Sequence, residues 1–158
     1  MTQEEKKLLL KDLCARLPYG VKIYFGGIPK LLTSITIKTG YIEILVEGEY
    51  GKAAYCDFIS TYNNTEYLQE EITEKCKPYL RPMSSMTEEE EEEYYQIRKR
   101  NSDKSLSLMD CSDHLQQLLF PIIARTESID WLNAHHFDYR NLIGKGLALE
   151  APEGIYKK

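Results

Sequence analysis

Between residues 21 and 59 the apolar residues stop recurring at helical intervals and run instead in short β-branched stretches punctuated by glycine. Val21-Lys-Ile-Tyr-Phe25, Leu31-Leu-Thr-Ser-Ile-Thr-Ile37 and Tyr41-Ile-Glu-Ile-Leu-Val46 predict three strands, and Ala53-Ala-Tyr-Cys-Asp-Phe-Ile59 predicts a fourth. Gly26-Gly27, Thr39-Gly40 and Glu47-Gly-Glu-Tyr-Gly51 supply the turns. Parallel neighbours need a crossover of about a dozen residues, so strands joined this closely pair as an antiparallel meander. One face of such a sheet has to be covered. The cover is at hand: Thr2 and Glu5 form a capping box, Leu9, Leu10, Leu13 and Leu17 make one apolar stripe, and Pro18-Tyr19-Gly20 stops the helix just before the sheet.

The second half carries helical signals. Pro78-Tyr-Leu-Arg-Pro82 is held extended, because each proline pushes its predecessor out of the helical region. Thr87 and Glu90 form a second capping box. The six Glu of 88–93 suit the positive end of a helix, and Arg98-Lys99-Arg100 suits the negative end. This pattern predicts an exposed helix over 88–99 with Tyr94, Tyr95 and Ile97 packing inward, then a mobile connection over 101–110. Leu115, Leu118, Leu119, Ile122 and Ile123 return to helical spacing, interrupted by Pro121. Ser128 caps a helix through Trp131, Leu132 and His135. Asp138 caps a last one carrying Leu142 and Ile143, with Gly144 and Gly146 near its end. The expected fold is a single α+β domain over 1–158. Residues 1–62 form the helix and a meander of three or four strands, and 77–158 is mainly helical. Its core centres on Trp131, Leu132, Leu142 and Ile143, shared with the sheet.

Charge and length exclude several roles. The net charge of −5 is uneven: residues 1–95 hold 11 Lys/Arg against 17 Asp/Glu, and 96–158 hold 9 against 8. Neither part is a basic surface for a phosphate backbone, which argues against nucleic acid as a partner. Leu8-Leu9-Leu10 is flanked by charge and makes neither a signal peptide nor a span, so a cytoplasmic protein without membrane contact is expected. In that setting Cys14, Cys56, Cys76 and Cys111, scattered with no close pair, read as free thiols. Tyrosine is abundant, 12 against 4 Phe and 1 Trp, and such half-polar rings suit contact surfaces.

Three constellations invite chemistry. Arg81 with Ser84, Ser85 and Thr87 stands at a predicted helix N-terminus, where backbone donors, hydroxyls and a guanidinium could hold a phosphate; the alternative is a plain cap with Arg81 as a tie. His135 and His136 are adjacent, and Asp138 could fix one of them in a single tautomer; adjacent helical positions point about 100° apart, however, and rarely chelate one ion. Cys111-x-x-His114 has half a zinc spacing, but the second close pair is missing. No metal site, cofactor or catalytic set is assigned.

Three segments carry a resemblance. Leu17-Pro-Tyr-Gly-Val-Lys22, the stretch from Lys77-Pro-Tyr-Leu-Arg-Pro-Met to Thr87-Glu-Glu-Glu90, and the stretch from Ile129-Asp-Trp-Leu-Asn to Glu153-Gly-Ile-Tyr156 together cover roughly half of the chain. In them the chain resembles a set of small uncharacterised proteins of gut Bacteroides and their phages and prophages. The resemblance implies a cytoplasmic protein of a mobile element or its host; it implies no activity and carries over no catalytic residues.

The leading expectation is therefore a non-enzymatic protein-binding or adaptor protein with an unidentified protein partner. One alternative is a nucleic-acid-associated regulator using the C-terminal helices, which a common face of Arg98–Arg100, Arg140 and Lys145 would favour. Another is a small-ligand or hydrolytic site around His135, His136 and Asp138.

Overall fold

Helix α1 (Gln3–Arg16) starts where the capping box places it. The Thr2 Oγ1 accepts from the Glu5 amide at 3.2 Å, and Glu5 accepts from the Thr2 amide at 2.6 Å. A single 3-10 turn (Leu17–Tyr19) ends it, and Gly20 at φ 71 takes the left-handed step into the sheet that a side chain would resist. The computed structural model describes residues 1–25, 27–38, 41–47, 54–57, 76–109 and 125–156.

The chain is α+β. Strands β1 (Lys22–Phe25), β2 (Ile28–Lys38), β3 (Tyr41–Val46) and β4 (Ala54–Asp57) lie in sequence order in one sheet, each antiparallel to the next. The register pairs Lys22 with Leu31, Ile35 with Ile44, and Ile44 with Cys56, with an irregularity between Leu32 and Ser34. Alternation along β1 to β3 sends Ile23, Leu32, Ile44 and Val46 to one face, where they meet Leu9 and Leu13 of α1. Burying each of these leucines contributes about 1.5–3 kcal/mol, which fixes the helix across the sheet.

The proline-stiffened stretch is the spine of the second half. Pro78 bridges Ile23 of β1, and β5 (Tyr79–Leu80) pairs in parallel with β6 (Leu149–Glu150). Arg81 bridges Phe137. Four residues, Pro78 to Arg81, thus join the sheet, the C-terminal segment and the turn at 135–138. Helix α2 (Glu88–Met109) follows, and α3 is described over 125–134.

Several expectations are corrected. Residues 101–109 continue α2 instead of forming a mobile connection: Asn101 is buried and anchors the helix beyond its basic turn. Polarity reports solvent contact, and a helix tolerates it. Tyr94 and Ile97 do pack inward, whereas Tyr95, one helical step off that face, is 56% exposed. Among the described residues no helix follows Asp138. Residues 139–146 are turns, with Asn141 at φ 56 and Gly146 at φ 69, left-handed positions at which a helix cannot continue.

The core is also divided differently. Trp131 and Leu132 cluster with Phe137, whereas Leu142 clusters with Leu80, Leu147 and Ala148, and Ile143 packs beside that second group. The turn containing His136, at φ 58, redirects the chain between them. Finally, Cys76 is disulfide-bonded and buried, so the free-thiol expectation fails there. Cysteines distant in sequence meet through the fold, which spacing does not reveal. Cys14 is free and exposed. The predicted helix around 115–123 and the Cys111–His114 pair lie outside the described residues. No described helix is long and apolar enough to cross a membrane.

Candidate functional site

The residues singled out by sequence gather around the seam between β5, the N-terminus of α2 and the 135–138 turn. Backbone pairing holds the seam: the Arg81 amide donates to the His136 carbonyl at 2.8 Å, and the Asp138 amide donates to the Arg81 carbonyl at 2.7 Å. Arg81 therefore lies beside the histidine pair although some 55 residues separate them.

The side chains take separate tasks. Arg81 grips both carboxylate oxygens of Glu90 at 2.6 and 2.7 Å and donates to the Ser85 carbonyl at 3.1 Å. Its guanidinium lies 4.3 Å from the centre of the Phe137 ring. The Ser85 hydroxyl donates to the Pro82 carbonyl, and Thr87 completes a capping box with Glu90. Ser84 is exposed. The place sequence reasoning offered to a phosphate is thus filled by the chain's own Glu90 carboxylate. The hydrogen bond from Arg81 holds that carboxyl below its ordinary range.

The histidines diverge. His135 stacks on Trp131 at 4.0 Å with its Nδ1 2.9 Å from the Trp131 carbonyl oxygen. Trp131 in turn stacks on Phe137, with Tyr94 of α2 tilted against it at 5.2 Å. His136 is 5% exposed and stacks on Tyr156 at 3.7 Å, and its Nδ1 has no hydrogen-bond partner among the described residues. Burial, reinforced by the positive charge of Arg16, pushes its pKa down to about 3, so the ring is neutral. Asp138 orients neither ring, because its two oxygens accept from the Leu142 and Ile143 amides at 2.7 and 2.8 Å. His135, His136 and Asp138 are each committed to a different partner. Among the described residues, no three His, Cys, Asp or Glu are grouped to hold a metal.

The basic residues are dispersed as well. Arg140 donates to Asp12 of α1 at 2.9 Å and stacks over Tyr139, and Arg100 lies 3.8 Å from Glu127. Arg140 is thus part of a buried network of α1 and does not line a face with Arg98–Arg100.

That network escaped the sequence reading. Asp12 and Arg16 have no exposed surface and bond to each other at 2.8 Å, and Arg16 also donates to the Phe137 carbonyl at 2.7 Å. Beside it, the Tyr156 hydroxyl donates to the Tyr79 carbonyl and accepts from the Lys22 amide. A signal existed: Leu9, Asp12, Leu13 and Arg16 follow the spacing of one helix face, so two charges stand on the stripe that has to be buried.

The remaining feature is open. A groove of about 460 Å³ runs along α2, lined by Met86, Glu91, Tyr94, Tyr95, Arg98 and Ser102 among others. Its floor backs onto the Trp131 cluster through Met86 and Tyr94, and Tyr95 stands out into solvent. The groove therefore sits on a rigid aromatic base while presenting a ring, both charge signs and a hydroxyl. No protein-family model matches this chain, and no curated protein or solved structure is significantly similar to it.

Proposed function

We propose that this is a non-enzymatic protein-binding or adaptor protein and that its contact surface is the groove along α2. The observation that carries the reading is the exposed Tyr95 ring beside a groove backed by packed aromatics. An aromatic anchor on a rigid base, flanked by charges, is the composition of a protein-contact centre. The commitment of the polar atoms of Arg81, His135 and Asp138 to internal partners supports the same reading, because a phosphate or hydrolytic site would need them for substrate. With it we propose the affinity to the small Bacteroides and phage proteins, a cytoplasmic location, and a mainly helical role for 77–158 packed on the helix-plus-sheet unit of 1–62.

The test is a photoreactive phenylalanine at position 95, activated in living cells, with exposed Lys11 as the control position. Protein adducts are expected at 95 and not at 11, and Tyr95→Ala should weaken the captured contact by roughly tenfold or more. Equal labelling at the two positions rejects the reading.

A further inference from the structure

We infer that a second copy of this chain docks on the Glu91, Tyr95, Arg98 and Ser102 face of α2, helix antiparallel to helix. The inference rests on the reading of the α2 groove as a protein-contact surface and names its occupant.

The geometry comes first. Glu90, Tyr94 and Ile97 are half-buried and Asn101 is buried, so this stripe of α2 faces the protein's own core. One position further round, Glu91, Tyr95, Arg98 and Ser102 repeat the same four-three-four spacing and are all exposed. They form a straight second stripe along three turns of a helix that is fixed from behind by Trp131.

The charge order of that stripe selects the occupant. Acid lies toward the N-terminus of α2 and base toward its C-terminus, seven residues apart. Turn a second α2 end for end about a two-fold axis between Tyr94 and Tyr95. Glu91 then faces Arg98 of the second copy, Arg98 faces its Glu91, and the two exposed Tyr95 rings meet near the axis. A parallel pair would set Glu against Glu and Arg against Arg. The antiparallel pair also opposes the two helix dipoles. A foreign partner would need its own acid and base at this interval, whereas a second copy supplies both, as a closed two-fold contact requires. Four residues from each copy make a small interface, so the dimer is a weak, concentration-dependent and salt-sensitive one.

Sedimentation velocity at low salt, over a wide concentration range, reads the result directly. The wild type is expected to move from 18.4 kDa toward twice that mass as concentration rises. Glu91→Arg and Arg98→Glu, both at exposed positions, should each raise the dissociation constant roughly tenfold or more, since each breaks both symmetry-related pairs. An equimolar mixture of the two variants should regain the dimer, because every Arg then finds a Glu, and so should the double swap E91R/R98E. A wild type that stays monomeric throughout, a dimer indifferent to both reversals, or a mixture that fails to recover overturns the inference. A monomeric wild type that still crosslinks through position 95 to a different protein sinks the second copy and keeps the contact surface. Monomers with no adduct at 95 sink both.

Discussion

The guanidinium of Arg16, with no surface exposed, bonds the carboxylate of Asp12 one turn earlier at 2.8 Å and reaches the carbonyl of Phe137 at 2.7 Å, 121 residues further along the chain. One side chain of α1 therefore locks the first helix to the turn that carries the histidine pair. The second Asp12 oxygen accepts from Arg140, so the carboxylate balances two cations. Removing one member leaves a buried charge without its partner, and the cost is about 3–5 kcal/mol. Asp12→Ala should lower unfolding stability by that order in urea melts. Arg16→Met paired with Asp12→Leu should lose less than the single Asp12→Ala, because no charge is then stranded on α1.

His136 gives the stability a defined pH window. Its folded pKa is depressed to about 3 from an ordinary 6.5, by burial first and by Arg16 second. The unfolded chain therefore binds a proton that the folded chain refuses. Stability from this group is full above 6.5 and is lost as pH falls from there toward 3, at a rate of at most about 1.4 kcal/mol per pH unit. Glu90, also depressed, acts in the same direction but only below the ordinary carboxylate value of 4.5. Urea midpoints at about pH 7 and about pH 5 thus isolate the histidine. His136→Asn, which keeps a residue tolerant of φ 58, should flatten the difference between those two midpoints.

Tyr156 ties the C-terminal segment to both halves. Its hydroxyl donates to the Tyr79 carbonyl at 2.7 Å and accepts from the Lys22 amide at 3.0 Å, and burial pushes its pKa up. Tyr156→Phe keeps the stack on His136 and removes only the oxygen. It should cost about 1–3 kcal/mol, because a strand amide is left without its acceptor. Hydrogen exchange provides the specific readout: the Lys22 amide should lose protection while amides in the middle of β2 keep theirs.

The disulfide at Cys76 predicts a redox-dependent stability. Reduction should lower the unfolding free energy by about 2–4 kcal/mol, read as a fall in Tm when a reductant is added. Cys76→Ala should melt near the reduced wild type and show no further change with reductant. An equal effect of reductant on both proteins would place its action elsewhere.

What the sequence determined was local. The capping boxes at Thr2–Glu5 and Thr87–Glu90, the strands around 22–25 and 41–46, the extended prolines at 78–82 and the inward Leu9 and Leu13 all follow from neighbours within a few residues, through helix and strand periods and turn chemistry. The tertiary structure alone decided the rest. It gave the Arg81 fork to Glu90, buried His136 against Tyr156 while leaving His135 on Trp131, took Asp138 as a cap for a turn, and enclosed Asp12 and Arg16. Each of those outcomes depends on which distant segment arrives to complete a hydrogen bond or exclude water. A charge on an apolar stripe, or a histidine beside its twin, looks the same in sequence whether solvent or a buried partner is waiting for it.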